Sequence, residues 1–329
     1  MAMQAVVQSG AGGVDTLRLD VVEKPEPAAG QLRVRVLAAG INRADIVQRE
    51  GKYPPPKGAS PILGLEVAGV VDAVNGPSRF QEGDAVFGLV SGGGYAEYAL
   101  LDSSAALPKP DMMSWAAAAS LPEAWMTAWF NLVEIAQLRA GETVLIHAGA
   151  SGVGAAAIQL ASLLGCRVIA SAGSDEKRAF CRRLGADDVI DSRQAGFAAY
   201  IKEHGGVDVV LDPVGASLFD DNIAVLKQDG RLVLIGVMGG VQGNLNLGLL
   251  LVKRLKIIGS TLRSQPEAVK ARLAAALAQE ILPALQDGRA QVTLDSIYPL
   301  AAVADAHRYV EENRNLGKVV LSLMPVIAG

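Results

Sequence analysis

Cysteine and aromatic residues are scarce in this sequence, and each scarcity excludes a class of protein. Among the 329 residues the cysteines are Cys166 and Cys181, so neither a disulfide framework nor a cysteine-rich metal site can form. Aromatic residues make up 5% and the net charge is −4, which leaves no basic stripe with interleaved aromatics for nucleic acid. The chain does not start with a basic segment followed by an apolar core, which is the pattern of a secretory signal. We therefore expect a cytoplasmic protein.

A membrane span is also not expected. The longest stretch without Asp, Glu, Lys or Arg is residues 143–166, which is long enough to cross a bilayer. Gly149, Gly152 and Gly154 interrupt its middle. A buried strand, a glycine turn and a buried helix explain the stretch better than a span does, so no membrane partner is predicted.

The length and the changing pattern along the chain predict two domains. At about 150 residues per domain, 329 residues suffice for two cores. The first ~120 residues read as β-rich, because residues 31–36 alternate in polarity and residues 67–74 and 85–89 are strand-like runs between turn signals. Helices are predicted at residues 115–119 and 127–137.

From Gly141 onward, strands alternate with helices, which is typical of an α/β fold. Near-continuous apolar strands of this kind predict a doubly wound parallel sheet of the Rossmann type, covered on both faces. The six predicted strands are residues 143–148, 167–171, 187–190, 207–212, 231–236 and 255–260. Helices at 267–282 and 301–313 follow, and a last strand at 318–323 is predicted to return to the first domain.

A dinucleotide-binding turn follows the first of these strands. Ser151, Gly152, Val153 and Gly154 open a helix, and Gly152-x-Gly154-x-x-Ala157 fits the fingerprint of such turns. The glycines permit a tight turn and a close approach of backbone to pyrophosphate, and the helix amino terminus attracts the phosphates. A structurally neutral glycine turn is the alternative, but the strand before it and the helix after it favour the functional interpretation.

The end of the second strand indicates which cofactor is used. NAD enzymes place an acid there, about 20 residues after the turn, whereas this chain has Ala172, Gly173 and Ser174. Lys177 and Arg178 follow on the next helix, where a cation can meet a 2′-phosphate. The sequence therefore predicts NADPH, the alternative being that both cations are ordinary solvated helix charges.

Several longer motifs resemble the medium-chain dehydrogenase/reductase superfamily over essentially the whole chain. They are residues 39–45 (AGINRAD), 48–53 (QREGKY), 62–69 (ILGLEVAG), 121–128 (LPEAWMTA) and 145–154 (LIHAGASGVG). The sequence is most similar to the zinc-independent quinone oxidoreductases, the branch that includes zeta-crystallin and the tumour-suppressor-induced quinone oxidoreductase. The resemblance implies a GroES-like catalytic domain at 1–122, a Rossmann NADPH-binding domain at 123–262, and a return to the catalytic domain at 263–329. It also implies a homodimer that pairs through the sixth strand.

The resemblance further implies that no metal is bound. Zinc alcohol dehydrogenases of this superfamily would have a Cys ligand at the position of Asn42, and Gly-His-Glu at the positions of Gly64, Leu65 and Glu66. Neither Asn42 nor Leu65 suits zinc, which prefers thiolate or imidazole ligands. His147 is predicted to be a packed, hydrogen-bonded residue.

The family also implies a set of site residues. Asn42 and Tyr53 would lie at the nicotinamide end of the cofactor and act as catalytic donors, although Tyr53 could equally be a loop anchor. Arg263 is either a cofactor contact or an interdomain salt-bridge partner, Ser192 stands where relatives often have an aromatic residue, and Lys318 is taken as a surface charge. The expected cofactor contacts are Asn42, Tyr53, Thr127, Ser151, Gly152, Val153, Gly154, Gly173, Ser174, Lys177, Ser192, Gly236, Val237, Met238, Leu262 and Arg263.

These observations predict an NADPH-dependent quinone oxidoreductase that works without metal. Without a Lewis acid, hydride transfer suits acceptors that delocalise the arriving charge, such as quinones and conjugated carbonyl compounds. An enoyl or alkenal double-bond reductase is the alternative, because the same parts serve it. A third hypothesis, an NADPH- or RNA-binding protein without turnover, lacks support from basic or aromatic clusters.

Overall fold

The computed structural model describes residues 1–194 and 196–324 and divides the chain into two compact units. The first unit joins Met1–Met126 to the segment that starts at Arg263, and the second is Thr127–Leu262. The sequence placed the corresponding boundaries after residues 122 and 262. The last residues of the predicted 263–329 segment, 325–329, lie outside the described residues.

The amino-terminal part of the first unit is mainly β-structure. Its elements are β1 (Ala2–Gln8), β2 (Leu17–Glu23), β3 (Gln31–Ile41), α1 (Arg43–Arg49), β4 (Glu66–Asn75), β5 (Ala85–Leu89), β6 (Tyr98–Asp102), β7 (Leu107–Pro108), α2 (Trp115–Ala119) and α3 (Pro122–Trp129). The alternation predicted for β3 is present, because Leu32, Val34 and Val36 are buried on one face. From Ala38 onward both faces of β3 are buried, and the strand extends past its predicted end to Ile41.

The second unit is built as predicted around a parallel sheet. Its elements are β8 (Thr143–Ile146), α4 (Gly152–Leu163), β9 (Arg167–Ala172), α5 (Asp175–Arg183), β10 (Asp188–Asp191), α6 (Phe197–Glu203), β11 (Val207–Asp212), α7 (Phe219–Val225), β12 (Leu226–Leu234), α8 (Leu247–Lys253) and β13 (Lys256–Gly259). The strand order β10-β9-β8-β11-β12-β13, with parallel pairing throughout, confirms the doubly wound Rossmann fold. The order reverses between β8 and β11, so their carboxyl ends form the ligand-binding edge of such a sheet.

The carboxy-terminal segment completes the sheet of the first unit. Its elements are α9 (Glu267–Ala276), α10 (Leu282–Gln286), β14 (Leu294–Pro299), α11 (Val303–Glu311) and β15 (Lys318–Ser322). Strand β15 pairs antiparallel with β3 and parallel with β14, so the last strand returns to the first unit as the sequence predicts. The sheet order is β14-β15-β3-β4-β5-β7, and β6 also pairs with β3.

Two predicted helices contain π-helical turns instead of continuous α-helix. The helix predicted at 127–137 starts earlier, as α3, and continues as a π-helical turn at Phe130–Ile135. There the Asn131 amide donates to the Thr127 carbonyl oxygen at 2.8 Å, so a side chain satisfies this backbone acceptor. The helix predicted at 267–282 has a π-helical turn at Leu277–Ile281, just before Pro283, which has no N–H to continue the α-helical pattern.

The described residues include no helix that is both long and apolar enough to cross a bilayer.

Candidate functional site

Asn42 lies in a buried polar cluster between a strand end and a helix start. It follows β3 and is the N-cap residue of α1, and its side chain is largely buried. Its Nδ2 donates to Glu66 Oε1 at 2.9 Å, and its Oδ1 accepts from Lys318 Nζ at 2.6 Å. Both ends of the amide are therefore held, and the second Nδ2 hydrogen is the group that Asn42 can offer to a ligand.

Lys318 is not the surface charge that the sequence suggested. Its side chain is 4% exposed and forms an ion pair of 2.6 Å with Glu66, which is fully buried. The ammonium also donates to the Ile41 carbonyl oxygen at 2.9 Å. The reason is strand pairing: Val319 of β15 lies opposite Ile41 of β3, which brings Lys318 next to Asn42.

This cluster does not fit a zinc ion. The Lys318 ammonium already binds the Asn42 and Glu66 oxygens, and Leu65, at the position where a His would serve as ligand, is a buried apolar side chain. Within the described ranges, no group of three or more His, Cys, Asp or Glu side chains has an arrangement that could hold a metal. The fixed positive charge at this place is an ammonium supplied by the chain itself.

Asp45 holds the backbone around Asn42. Its carboxylate accepts from the backbone N–H of Asn42 at 2.8 Å and of Gly64 at 3.0 Å, and from the Tyr95 hydroxyl at 3.0 Å. Burial raises the pKa of Asp45 to about 6, and these hydrogen bonds together with Lys318 oppose that rise. Behind Tyr95, His307 Nε2 lies 3.2 Å from the tyrosine hydroxyl. The loop that carries Asn42 is therefore anchored in the core.

Tyr53 and Arg263 form a second part of the site within the first unit. The Arg263 guanidinium carbon lies 5.6 Å from the centre of the Tyr53 ring. Arg263 donates to the Ser91 carbonyl oxygen at 2.9 Å and to Gln48 Oε1 at 2.7 Å. Both acceptors are uncharged groups of the first unit. These hydrogen bonds of Arg263 are therefore not the interdomain salt bridge that the sequence offered as an alternative. Adjacent Leu262 is buried.

A groove runs beside this pair. Its volume is about 1010 Å³, and its lining includes Pro54, Lys57, Ser91, Arg263 and Lys270. Pro54 and Lys57 belong to the proline-rich loop that follows Tyr53. The size is at the upper end for small-molecule sites, so the groove can accommodate more than a single ring.

Glu123 is a neighbour of this cluster that the sequence reasoning missed. It lies in the first turn of α3, and its backbone N–H donates to Glu66 Oε2 at 2.8 Å. Burial and then the charge of Glu66 raise the pKa of Glu123 to about 8. In the sequence, an acid next to a proline at a helix start is an ordinary first-turn residue. Nothing in the sequence therefore marked Glu123 as a functional residue.

In the second unit, the turn after β8 has the geometry of a phosphate-binding loop. Ser151 caps α4, and its Oγ accepts from the Gly154 N–H at 3.0 Å. The N–H groups of Gly152 and Val153 stand in the first turn, where an α-helix offers no acceptor of its own. A Cβ on Gly154 would lie 2.3 Å from the Ala148 carbonyl oxygen, so glycine is needed there for close packing. The tight turn itself is at Ala148, with φ +51°, and not at Gly152 as the sequence suggested.

A buried polar chain supports the segment expected to cradle the nicotinamide. His147 Nδ1 lies 2.8 Å from Ser171 Oγ and its Nε2 2.7 Å from Asn222 Oδ1, so His147 is the packed, hydrogen-bonded residue that the sequence predicts. Asn222 Nδ2 in turn donates to Asp212 Oδ2 at 3.0 Å, and Asp212 accepts from the Val214 N–H.

The loop that Asp212 fixes in this way contacts Gly236 and its neighbours. The Met238 N–H donates to the Pro213 carbonyl oxygen at 3.3 Å, and a Cβ on Gly236 would lie 2.7 Å from that same oxygen. Val237 and Met238 are about half exposed, so their surface is accessible. Thr127, by contrast, is largely buried, and its carbonyl oxygen is the acceptor used by Asn131.

The residues expected around a 2′-phosphate come together at the ends of β9 and β10. Ser174 caps α5 and accepts from the Lys177 N–H at 3.2 Å. A Cβ on Gly173 would lie 3.5 Å from Ser192 Oγ and 3.8 Å from Arg193 Cδ, so both side chains border this glycine. Arg193 is a further cation that the sequence reasoning did not single out, and its side chain is 69% exposed.

Arg178 is less available than the sequence suggested. It pairs with Asp175 and, at 2.8 Å, with Asp191, and its side chain is 16% exposed. Its charge is therefore used within the protein. Arg193 also pairs with Asp191, at 3.5 Å, but its side chain is far more exposed than that of Arg178.

Comparisons with known proteins agree on one family. Residues 28–111 match the model of the alcohol dehydrogenase GroES-like domain, and residues 152–279 match that of the zinc-binding dehydrogenases. The chain is 31% identical to quinone oxidoreductase of Rattus norvegicus, covering 98% of both chains. It is 33% identical, over 95% of its own length, to the phthioceranic/hydroxyphthioceranic acid synthase of Mycobacterium tuberculosis, and it spans 15% of that much longer protein.

Two solved structures are similar over nearly the whole chain. Mycobacterial Rv1454c, solved in complex with NADPH, has a TM-score of 0.88 at 32% identity, with 97% of this chain and 99% of that chain covered. The CurK enoyl reductase has a TM-score of 0.84 at 30% identity, with 98% and 99% covered.

We expect Lys318→Met to destabilise the protein strongly. It leaves the buried Glu66 carboxylate without its counter-ion, and removing one partner of a buried pair costs about 3–5 kcal/mol. The free energy of unfolding from urea titration measures the loss. The double variant Lys318→Met/Glu66→Gln carries neither charge and should lose less than the sum of the two single variants.

Lys227→Met is the matched control. Lys227 pairs with Asp208 at 2.8 Å, but the side chains are 37% and 20% exposed. The loss there should not exceed about 1 kcal/mol. An equal loss in the two lysine variants would show that the Lys318–Glu66 pair is not a structural anchor.

Proposed function

The chain belongs to the medium-chain dehydrogenase/reductase superfamily, as a quinone oxidoreductase-like member, and on that premise we propose that it is an NADPH-dependent quinone oxidoreductase that needs no zinc. The observation that carries the proposal is the Lys318 ammonium bound to Asn42 and Glu66. It occupies the oxygen atoms that a metal would need, and an ammonium has no open coordination position for a substrate oxygen. Simple alcohol oxidation is therefore disfavoured.

The acceptor must then stabilise the transferred charge itself. Bound NADPH supplies a hydride, and quinones and conjugated carbonyl compounds spread the resulting negative charge onto oxygen. The chain's own contribution is to position the acceptor and to donate hydrogen bonds to that oxygen. We assign this role to the second Nδ2 hydrogen of Asn42 and to the Tyr53 hydroxyl.

The residues of the second unit fit a dinucleotide phosphate. The first-turn N–H groups of Gly152 and Val153, with the capping Ser151, suit the pyrophosphate. Ser174, Lys177, Ser192 and Arg193 around Gly173 suit a 2′-phosphate, and β9 ends without an acid that would accept from a 2′-hydroxyl. We further propose that Thr127, Gly236, Val237, Met238 and Leu262 of the second unit contact the nicotinamide half. Arg263 of the first unit is a further proposed cofactor contact.

We expect rapid oxidation of NADPH when quinones are offered. Stopped-flow loss of NADPH absorbance, with a panel of quinones beside enoyl thioesters and alkenals, measures this directly. Quinones should have the highest kcat/KM.

Turnover of enoyl thioesters alone would favour a double-bond reductase. That activity is the second candidate function, because the chain is similar to the CurK enoyl reductase. NADPH binding without turnover of any acceptor would point to a binding protein and contradict the proposal.

For the 2′-phosphate, we expect Lys177→Ala to weaken NADPH binding selectively. Loss of one charge-assisted contact of about 1.5–3 kcal/mol corresponds to roughly a 10- to 100-fold higher Kd for NADPH, with the Kd for NADH little changed. Isothermal titration with both cofactors gives these values. Arg182→Ala, an exposed cation in the last turn of α5, is the control. Equal losses for NADPH and NADH would refute the assignment of Lys177.

We also propose that the protein forms a homodimer through β13, the edge strand of the parallel sheet. Next to it, α8 exposes Leu247, Leu251 and Val252 by 67–77% of their surface. Light scattering after size exclusion should give twice the chain mass of 34.2 kDa. Leu251→Glu should yield monomers, because the charge would be buried in the interface.

The control for the dimer is Met112→Glu, since Met112 is 99% exposed in the first unit. A wild-type protein that elutes as a single species of chain mass would overturn the proposal.

A further inference from the structure

The Glu123 carboxyl differs from the neighbouring Glu66 and Asp45 carboxyls, which both accept several hydrogen bonds. Among the described residues, none forms a hydrogen bond or ion pair with this carboxyl, whereas its backbone N–H is bound to Glu66. The residue is only partly buried. A carboxyl held in place by its backbone and left without a partner is available to a ligand.

Burial favours the neutral form of Glu123, while the charges around it act in both directions. Two carboxyls, Glu66 and Asp45, disfavour ionisation, while Lys318 and Arg263 favour it. Lys318 is, however, bound to Glu66, Asn42 and Ile41, and Arg263 to Ser91 and Gln48. Burial is the largest influence and raises the pKa of Glu123 to about 8. At neutral pH the residue is therefore a carboxylic acid with a proton to give.

Tyr53 is the other candidate donor, and its environment makes it a weaker acid. Burial raises the pKa of Tyr53 above 10, the charge of Glu123 raises it further, and Arg263 lowers it. Because the Glu123 charge acts on Tyr53 and the Arg263 charge acts on both, the two groups lie in one electrostatic neighbourhood. A general acid works best when its pKa is near the working pH, a condition that Glu123 meets and Tyr53 does not.

We propose that Glu123 is the general acid of the reaction and protonates the oxygen of the reduced acceptor. This rests on the proposed function. Hydride brings two electrons and one proton to the quinone and leaves a negative charge on oxygen. The O–H bond of Glu123 then breaks, a new O–H bond forms on the acceptor to give the hydroquinone, and the Glu123 carboxylate regains a proton from water.

A purely structural role for Glu123 makes a different prediction. An acid in the first turn of a helix stabilises the helix through its negative charge. That role requires ionised Glu123 and is lost when the proton is bound, whereas the proposal requires the protonated form. The protonation state of Glu123 near neutral pH therefore separates the two roles.

The test is Glu123→Gln, which keeps the shape and the backbone N–H but cannot supply the proton. Infrared difference spectra of the protein alone, labelled with 13C at the glutamate carboxyl groups, report the protonated acid. We expect a carboxylic acid band in the wild type that disappears as pH rises through about 8 and is absent from the variant. The same band persisting in Glu123→Gln, or a wild type without it at pH 6, would overturn the proposal.

Kinetics supply the second measurement. Because the protonated form is active, wild-type kcat/KM for the best quinone should fall as pH rises through about 8. Glu123→Gln should be about 100-fold slower and lack this fall, with an unchanged Kd for NADPH. Glu123→Asp should recover part of the rate, and Tyr53→Phe should be slower but keep the fall near pH 8.

The matched control is Asp305→Asn, which removes an exposed first-turn acid from α11 and should change neither profile. Wild-type turnover with an unaltered pH profile in Glu123→Gln would refute this proposal and leave the proposed function standing. Absence of wild-type turnover with every quinone and enone would refute both.

Discussion

The buried ion pair between Lys318 and Glu66 is the interaction on which the rest of the candidate site depends. A charge at this depth is costly unless its partner and its hydrogen bonds are complete. Here the ammonium binds three oxygen atoms, and Glu66 accepts from Lys318 and Asn42 through one oxygen and from the Glu123 backbone through the other. The pair therefore fixes Asn42, the start of α3 and the last strand relative to one another.

This anchor also sets the electrostatics of the residues around it. Glu66 forms an ion pair with Lys318, and its charge acts on Glu123, whose own carboxyl forms no ion pair among the described residues. The consequence extends to Tyr53, whose pKa rises partly because of Glu123. Burial first, and then the charge of Glu66, thus raise the pKa of Glu123 to about 8, which makes it a usable acid near neutral pH.

Sequence reasoning succeeded where chemistry is encoded locally. The turn at Ser151–Gly154 lies between one strand and one helix, and the apolar strands that follow predict the parallel sheet that the structure has. It failed for Lys318, because the burial of that residue depends on pairing between β15 and β3, which are about 280 residues apart in the chain. It also missed Glu123 and Arg193, whose surroundings come from distant segments and leave no local pattern.

The complete hydrogen bonding of the Lys318 ammonium limits what it can contribute to the proposed chemistry. An ammonium that is fully hydrogen-bonded supplies charge to the residues around it but has no open position for a substrate oxygen, so it cannot polarise an isolated carbonyl as a Lewis acid does. In the proposed reaction, the substrate therefore carries its own means of delocalising charge, and the protein supplies a proton to the oxygen on which that charge comes to rest. The same Lys318–Glu66 pair also holds the Glu123 backbone in place. The proposed preference for conjugated acceptors and the proposed use of a protein acid therefore both trace back to the Lys318–Glu66 pair.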